Sequence, residues 1–164
     1  MISRKTLIAT LALSSAMVGA ALSPADAVNE VNAAPGFSTA GTPLALHGFD
    51  PVAFFTVGKP TAGDAKFSAT HNGASYYFAS QENLDKFKAE PAKYEPQYGG
   101  YCAYGVSVGK KFDGNPIFWT IDNGKLYLNL NDDIQKKFSA DVAGALKNAN
   151  AQWPKIQSKA PADL

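Results

Sequence analysis

Apolar positions along this chain fall into short blocks closed by turn residues, and their period changes from block to block. Lys66–His71 alternates loosely, Asn72-Gly73 follows, and Ala74–Phe78 is strand-like. Asn-Gly between two such runs predicts an antiparallel hairpin, because both residues accept positive φ. Pro116–Ile121 and Lys125–Leu130 flank Asp122-Asn123-Gly124 and predict a second hairpin. Val52–Val57 is a continuous apolar run bounded by Asp50-Pro51 and Gly58, which predicts a short buried strand.

Two segments carry the helical period instead. Ser80 is a good N-cap, Glu82 complements the helix dipole, Leu84, Phe87 and Lys88 keep helical spacing, and Pro91 stops the run. A helix over about 80–89 is predicted. Later, Asn131 caps a run with Asp132 and Asp133 in its first turn. Ile134, Phe138, Val142, Leu146, Ala149 and Trp153 share one face, Ser139 is placed to re-cap midway, and Pro154 closes the pattern. The predicted fold class is α+β, with a small antiparallel sheet built from two hairpins, a middle helix and a long C-terminal helix packed across it.

The first residues change the domain picture. A charged start at Arg4-Lys5, a diluted apolar run over Leu7–Leu22 and Ala25-Asp26-Ala27 describe a secretory signal peptide, residues 1–27. That run is too weak for a membrane span, and no Cys follows it to carry a lipid. The expected location is therefore periplasmic or secreted. Residues 28–45 are small and rich in Gly and Pro, and read as an extended linker or strap outside the core. Residues 46–157 form the expected domain, followed by a tail, 158–164.

Removing the first 27 of 164 residues leaves 137, enough for one domain with a modest core. It also leaves 13 basic against 13 acidic side chains. With net charge zero, bulk electrostatics select neither nucleic acid nor anionic lipid. The expected partner is a metal ion or a small ligand, with a protein partner as the further option. The chain has one cysteine, Cys102, so no internal disulfide forms. Either that thiol is buried and inert, or its reactivity or metal affinity is used in an oxidising compartment.

Candidate chemistry concentrates in Tyr94–Gly105, which holds Cys102, four of the seven tyrosines and Gly99-Gly100. Tyr94, Tyr98, Tyr101 and Tyr104 have helical spacing, but Pro96 and the glycine pair oppose a continuous helix. Tyr98, Gly99, Gly100, Tyr101 and Tyr104, with Asp50 opposite, are the candidate ligand-binding residues, a phenol-lined pocket wall or simply aromatic packing. Cys102 with His47 is the candidate metal pair, copper ahead of zinc, since thiolate and imidazole suit those ions. A third ligand would come from His71, Asp50, a tyrosine or a partner; His71 itself reads as exposed. Gly105-Val-Ser-Val-Gly109 imitates a hydrolase elbow, yet no His follows Ser107. No catalytic residue is assigned, and the chain is expected not to be an enzyme.

Three stretches, Gly48-Phe-Asp-Pro-Val-Ala-Phe-Phe55, Asn72-Gly-Ala-Ser-Tyr-Tyr-Phe-Ala-Ser-Gln-Glu-Asn83 and Phe87-Lys-Ala-Glu-Pro-Ala-Lys-Tyr94, resemble the YHS domain. The continuation Pro96-Gln-Tyr-Gly-Gly-Tyr-Cys-Ala-Tyr104 and Gly124-Lys-Leu-Tyr-Leu-Asn129 resembles the longer, exported members of that group. The resemblance implies relation to small metal-binding modules, several of them in copper-handling proteins. Their usual pattern places cysteines where this chain has Ala53 and Ala79. Cys102, with His47 as companion, is what this chain offers instead.

Overall fold

The computed structural model describes residues 30–34, 38 and 40–164. The expected signal peptide, and part of the expected strap, lie outside the described residues. Among those described, no helix is long and apolar enough to cross a membrane. The strands are β1 (Ala33–Ala34), β2 (Leu44–Ala45), β3 (Asp64–His71), β4 (Ala74–Phe78), β5 (Asn115–Asp122) and β6 (Lys125–Asn129). The helices are α1 (Ala53–Thr56), α2 (Gln81–Ala89), α3 (Pro91–Tyr94), α4 (Ala103–Ser107), α5 (Asp132–Ala140) and α6 (Val142–Ile156). The class is α+β.

Both hairpins form, and each turns on an Asn-Gly pair with positive φ: Asn72 at 48° and Gly73 at 75°, Asn123 at 48° and Gly124 at 71°. They do not join into one sheet. β3 and β4 belong to a sheet of order β1-β2-β4-β3, in which β2 runs parallel to β4 through Leu44 and Ser75. β5 and β6 form a separate two-stranded sheet. Part of the expected strap is therefore sheet, and Val31 is buried in the core.

The expected strand at Val52–Val57 is helix α1. The Asp50 carboxylate accepts the backbone N–H groups of Val52 (2.8 Å) and Ala53 (3.3 Å), which starts a turn directly after Pro51. Gly58, at φ 72°, then ends it by donating back to the Ala53 carbonyl. A short, mostly apolar run is compatible with either structure, and the capping carboxylate decides between them.

The C-terminal run is two helices, not one. Asn131 caps α5 by accepting from Ile134 N (3.0 Å), and Asp141 caps α6 by accepting from Gly144 N (2.9 Å). Asp141 itself is non-helical, at φ −150° and ψ 74°, so the helix breaks there rather than at Ser139. Pro154 lies inside α6, whose end is held instead by Lys111: its ammonium donates to the carbonyls of Gln157 and Lys159.

β6 organises the packing because it is buried on both faces. Period-two alternation sends Leu126 and Leu128 into one cluster, with Val52, Phe54, Tyr76, Phe78, Leu84 and Phe87. It sends Tyr127 the other way, into a cluster with Tyr98, Tyr101, Val106, Phe138 and Ala149. Pro96 and Cys102 bridge to Leu126 and Leu128 along the remaining edge of β6. The tyrosine-rich stretch is thereby laid along the wall between the two clusters.

Candidate functional site

After α3 the chain turns tightly through Gln97–Gly100, with Tyr98, Gly99 and Gly100 all left-handed, at φ 54°, 62° and 82°. The glycines are there because backbone passes close on two sides. A Cβ on Gly99 would lie 1.6 Å from the Glu30 carbonyl oxygen, and Asn32 N donates to Gly99 O at 2.8 Å. A Cβ on Gly114 would lie 2.0 Å from Gly100 O. Tyr98 is a bulky residue in a conformation that L side chains rarely adopt, a form of strain that surrounding contacts must hold. Its hydroxyl donates to Asn150 Oδ1 at 2.9 Å, and its ring packs against Tyr127 and Trp153. Burial, with Tyr127 adding, pushes the Tyr98 phenol well above its ordinary range, so it stays a neutral donor.

Outside that turn is a cleft of about 410 Å³. Tyr76, Tyr98 and Trp153 supply aromatic surface to it, Glu30 and Glu95 supply charge, and Gly99 lines it where backbone comes closest. Glu95 Oε2 is engaged by His71 Nε2 at 3.1 Å and by the Asn72 side-chain amide at 3.3 Å. The His71 ring also packs edge-on to Phe87, so this half-exposed pair is anchored to the first cluster.

Cys102 is not in that cleft. It is 1% exposed, and it caps α4 with its sulfur, accepting from Gly105 N at 3.3 Å. The thiol faces Asn129 Oδ1 at 3.6 Å, an oxygen that also accepts from Tyr104 N. Asn129 in turn donates to Gln135, which reaches Trp119 O and Thr120. Burial pushes the thiol upward, and the backbone N–H groups around it offset only part of that. A buried thiol held neutral is a poor metal ligand and a poor nucleophile.

His47 has a different partner. Its Nε2 lies 2.9 Å from Asp113 Oδ1, at an exposed position, and Asn32 donates to the same oxygen. It sits in a second left-handed run, Leu46, His47 and Gly48. Among the described residues, no group of three or more His, Cys, Asp and Glu side chains is placed to hold a metal ion. Asp50 also leaves the ligand-binding set. It is fully buried, and its two oxygens accept from Val52 N, Ala53 N, Ala79 N and the Asn83 amide. Four donors around one carboxylate satisfy it in its buried setting.

The sequence-derived ligand set thus divides. Tyr98 and Gly99 line the cleft, and Gly100 supports the turn. Tyr101 faces inward, its ring against Trp153 and beneath the Lys111 ammonium at 5.1 Å. Tyr104 lines a separate, shallower depression with Ser107 and Asp141. Ser107 donates to the Tyr104 carbonyl at the end of α4 and belongs to no elbow. Sequence reasoning missed Glu30, Tyr76 and Trp153 as cleft residues, because they come from three remote elements. Glu95 lay inside the tyrosine-rich stretch and was legible there only by its neighbours. Lys111 was also missed; nothing local in the sequence marks a lysine whose burial lowers its pKa to about 8.

A small α+β domain with its cleft beside a strained tyrosine turn is the class that this geometry defines. Residues 52–98 match the family model of the YHS domain. This segment of the chain is therefore similar to the YHS domain, and it runs from the start of α1 to Tyr98. Comparison with the curated proteins and with the solved structures gave no match. The glycine pair, Cys102 and everything from β5 onward lie beyond the matched segment.

Proposed function

We propose that this is an exported YHS-family protein that binds a small organic ligand in the Tyr98–Gly99 cleft and does not act as an enzyme. The observation that carries the reading is the cleft itself: about 410 Å³, within the range of small-ligand sites, with aromatic side chains and the polar groups of Glu30, Asn72, Glu95 and Gln97 converging on it. The left-handed Tyr98 beside it supports the same reading, since such strain gathers at ligand sites. Export rests on the charged start, apolar run and Ala-x-Ala of the first 27 residues. In this reading Cys102 is structural.

The test is an amide NMR screen of the labelled protein against a small-molecule library. Shift changes are expected to gather at Asn72–Gly73, Glu95–Gly99 and the Trp153 indole. Hits that perturb only other surfaces would overturn the reading.

The second reading, a copper or zinc site on Cys102 and His47, draws on the family and on the single thiol. The burial of Cys102 and the pairing of His47 with Asp113 favour the first. Metal analysis after reconstitution separates them. Equal, negligible copper and zinc in wild type, Cys102→Ser and His47→Ala is expected; stoichiometric copper in the wild type alone would reinstate the metal site.

A further inference from the structure

The cleft's lining carries an asymmetry of charge. Its ionisable carboxylates, Glu30 and Glu95, line the space together with three aromatic rings, while among the described residues no lysine or arginine lines it. The Tyr98 and Trp153 rings stand 5.8 Å apart at an interplanar angle of 59°, forming a corner rather than a flat wall. Aromatic faces are negative at their centres, so a corner of two rings beside a carboxylate attracts a soft, weakly hydrated cation. An anionic ligand would meet two carboxylates with no cation in the lining to balance them.

Two basic side chains stand close enough to matter. His71 pairs with Glu95 and orients that carboxylate. The Lys111 ammonium lies 5.4 Å from the Trp153 centroid, but it is buried, tied to the carbonyls of Gln157 and Lys159, and absent from the lining. It shows that this ring already serves as a cation acceptor within the fold. Glu30 also acts on Lys111 through space, so its charge is shared between the buried lysine and the cleft. Glu95 is then the carboxylate on which an incoming cation depends most.

We propose that the cleft selects organic cations, amines or quaternary ammonium groups carrying a small apolar body. This rests on the cleft being a ligand site, as argued above, and adds the chemical class. The ammonium group lodges in the cleft against the wall that Tyr98 and Trp153 form, with Glu95 supplying the counter-charge.

Calorimetric titration of the full chain at low ionic strength tests it, using choline, its neutral isostere 3,3-dimethylbutan-1-ol and the anion 4,4-dimethylpentanoate. Choline is expected to bind about tenfold tighter than the neutral isostere, the size of a partly desolvated cation–aromatic contact. Glu95→Gln, which removes the counter-charge and keeps the rings, should lower that ratio while the neutral compound binds as before. If Glu95→Gln fails to fold, Glu30→Gln is the substitute and should lower the ratio in the same direction. Equal binding of choline and the alcohol, or a preference for the anion, overturns the cation assignment and leaves the cleft as a ligand site. Failure of all three probes to bind overturns both.

Discussion

Asp50 ties α1, the end of β4 and α2 together through one buried carboxylate. With no accessible surface, it accepts two backbone N–H groups that start α1, one from Ala79 after β4, and the Asn83 amide on α2. Asp50→Asn keeps the shape but turns an acceptor toward the donors as an NH₂ group, leaving buried N–H groups unmatched. A loss of about 2–4 kcal/mol is expected by chemical denaturation, with little change in m-value. A loss under about 1 kcal/mol would mean that the four hydrogen bonds are not sustained in solution. Cys102 makes a prediction of the opposite character, in pH. Its folded thiol titrates above the ordinary value of 9.0, so the unfolded chain loses its proton first. Stability supplied by the neutral thiol is therefore complete below pH 9 and is lost as pH rises beyond it. Lys111 works the other way: its folded pKa of about 8 lies under the ordinary 10.5, so its contribution grows with pH across that interval. Comparing wild type with Cys102→Ala cancels the lysine, which both proteins share. From pH 8 to 10, wild type is expected to lose more stability than the variant. Parallel stability curves would show the thiol to be unperturbed.

Among the elements, those whose local signals agreed were legible in the sequence. Asn-Gly turns and alternating flanks gave both hairpins, and the Ser80 hydroxyl caps α2 by accepting from Asn83 N, as its position suggested. Where the sequence misled, a local cap decided the outcome. α1 exists because Asp50 caps it, and the apolar run itself carries no trace of that. The break at Asp141 was hidden for a different reason. Phe138, Val142, Ala145 and Ala149 keep three- and four-residue spacing across it, so the helical period runs on unbroken while the backbone does not. Asp141→Ala isolates the cap that divides α5 from α6. It should cost about 1 kcal/mol in a thermal or denaturant melt, with helix content by circular dichroism nearly unchanged. An unchanged midpoint would mean that packing of Phe138 and Ala145 sets the break without the cap.

At the scale of the whole molecule, the candidate site was legible as a region and not as a set of contacts. Tyr98 and Gly99 stood out by composition, whereas Glu30, Tyr76 and Trp153 reach the cleft from positions scattered along the chain, and no local pattern marks such convergence. The same convergence bears on how much of the chain is needed to fold. The matched YHS segment ends at Tyr98, yet its cluster takes Leu126 and Leu128 from β6, Ala45 and Leu46 from before it, and Val31 from the N-terminal strand region. Leu126 and Leu128 are fully buried, so removing β6 uncovers the faces of Phe54, Tyr76, Phe78 and Phe87 that they contact as one cluster. At roughly 1.5–3 kcal/mol for each buried aliphatic side chain, losing these two alone removes a large share of the stability typical of a domain this size. A fragment of residues 46–98 is therefore expected to lack a cooperative melt and near-ultraviolet dichroism, whereas residues 28–164 show both. A sharp, reversible transition in the short fragment would show that the family segment is autonomous and that β6 is an addition to it. Without that result, β6 is a shared wall: its leucines complete the YHS cluster, and its Tyr127 and Asn129 hold the tyrosine turn and Cys102 on the other side.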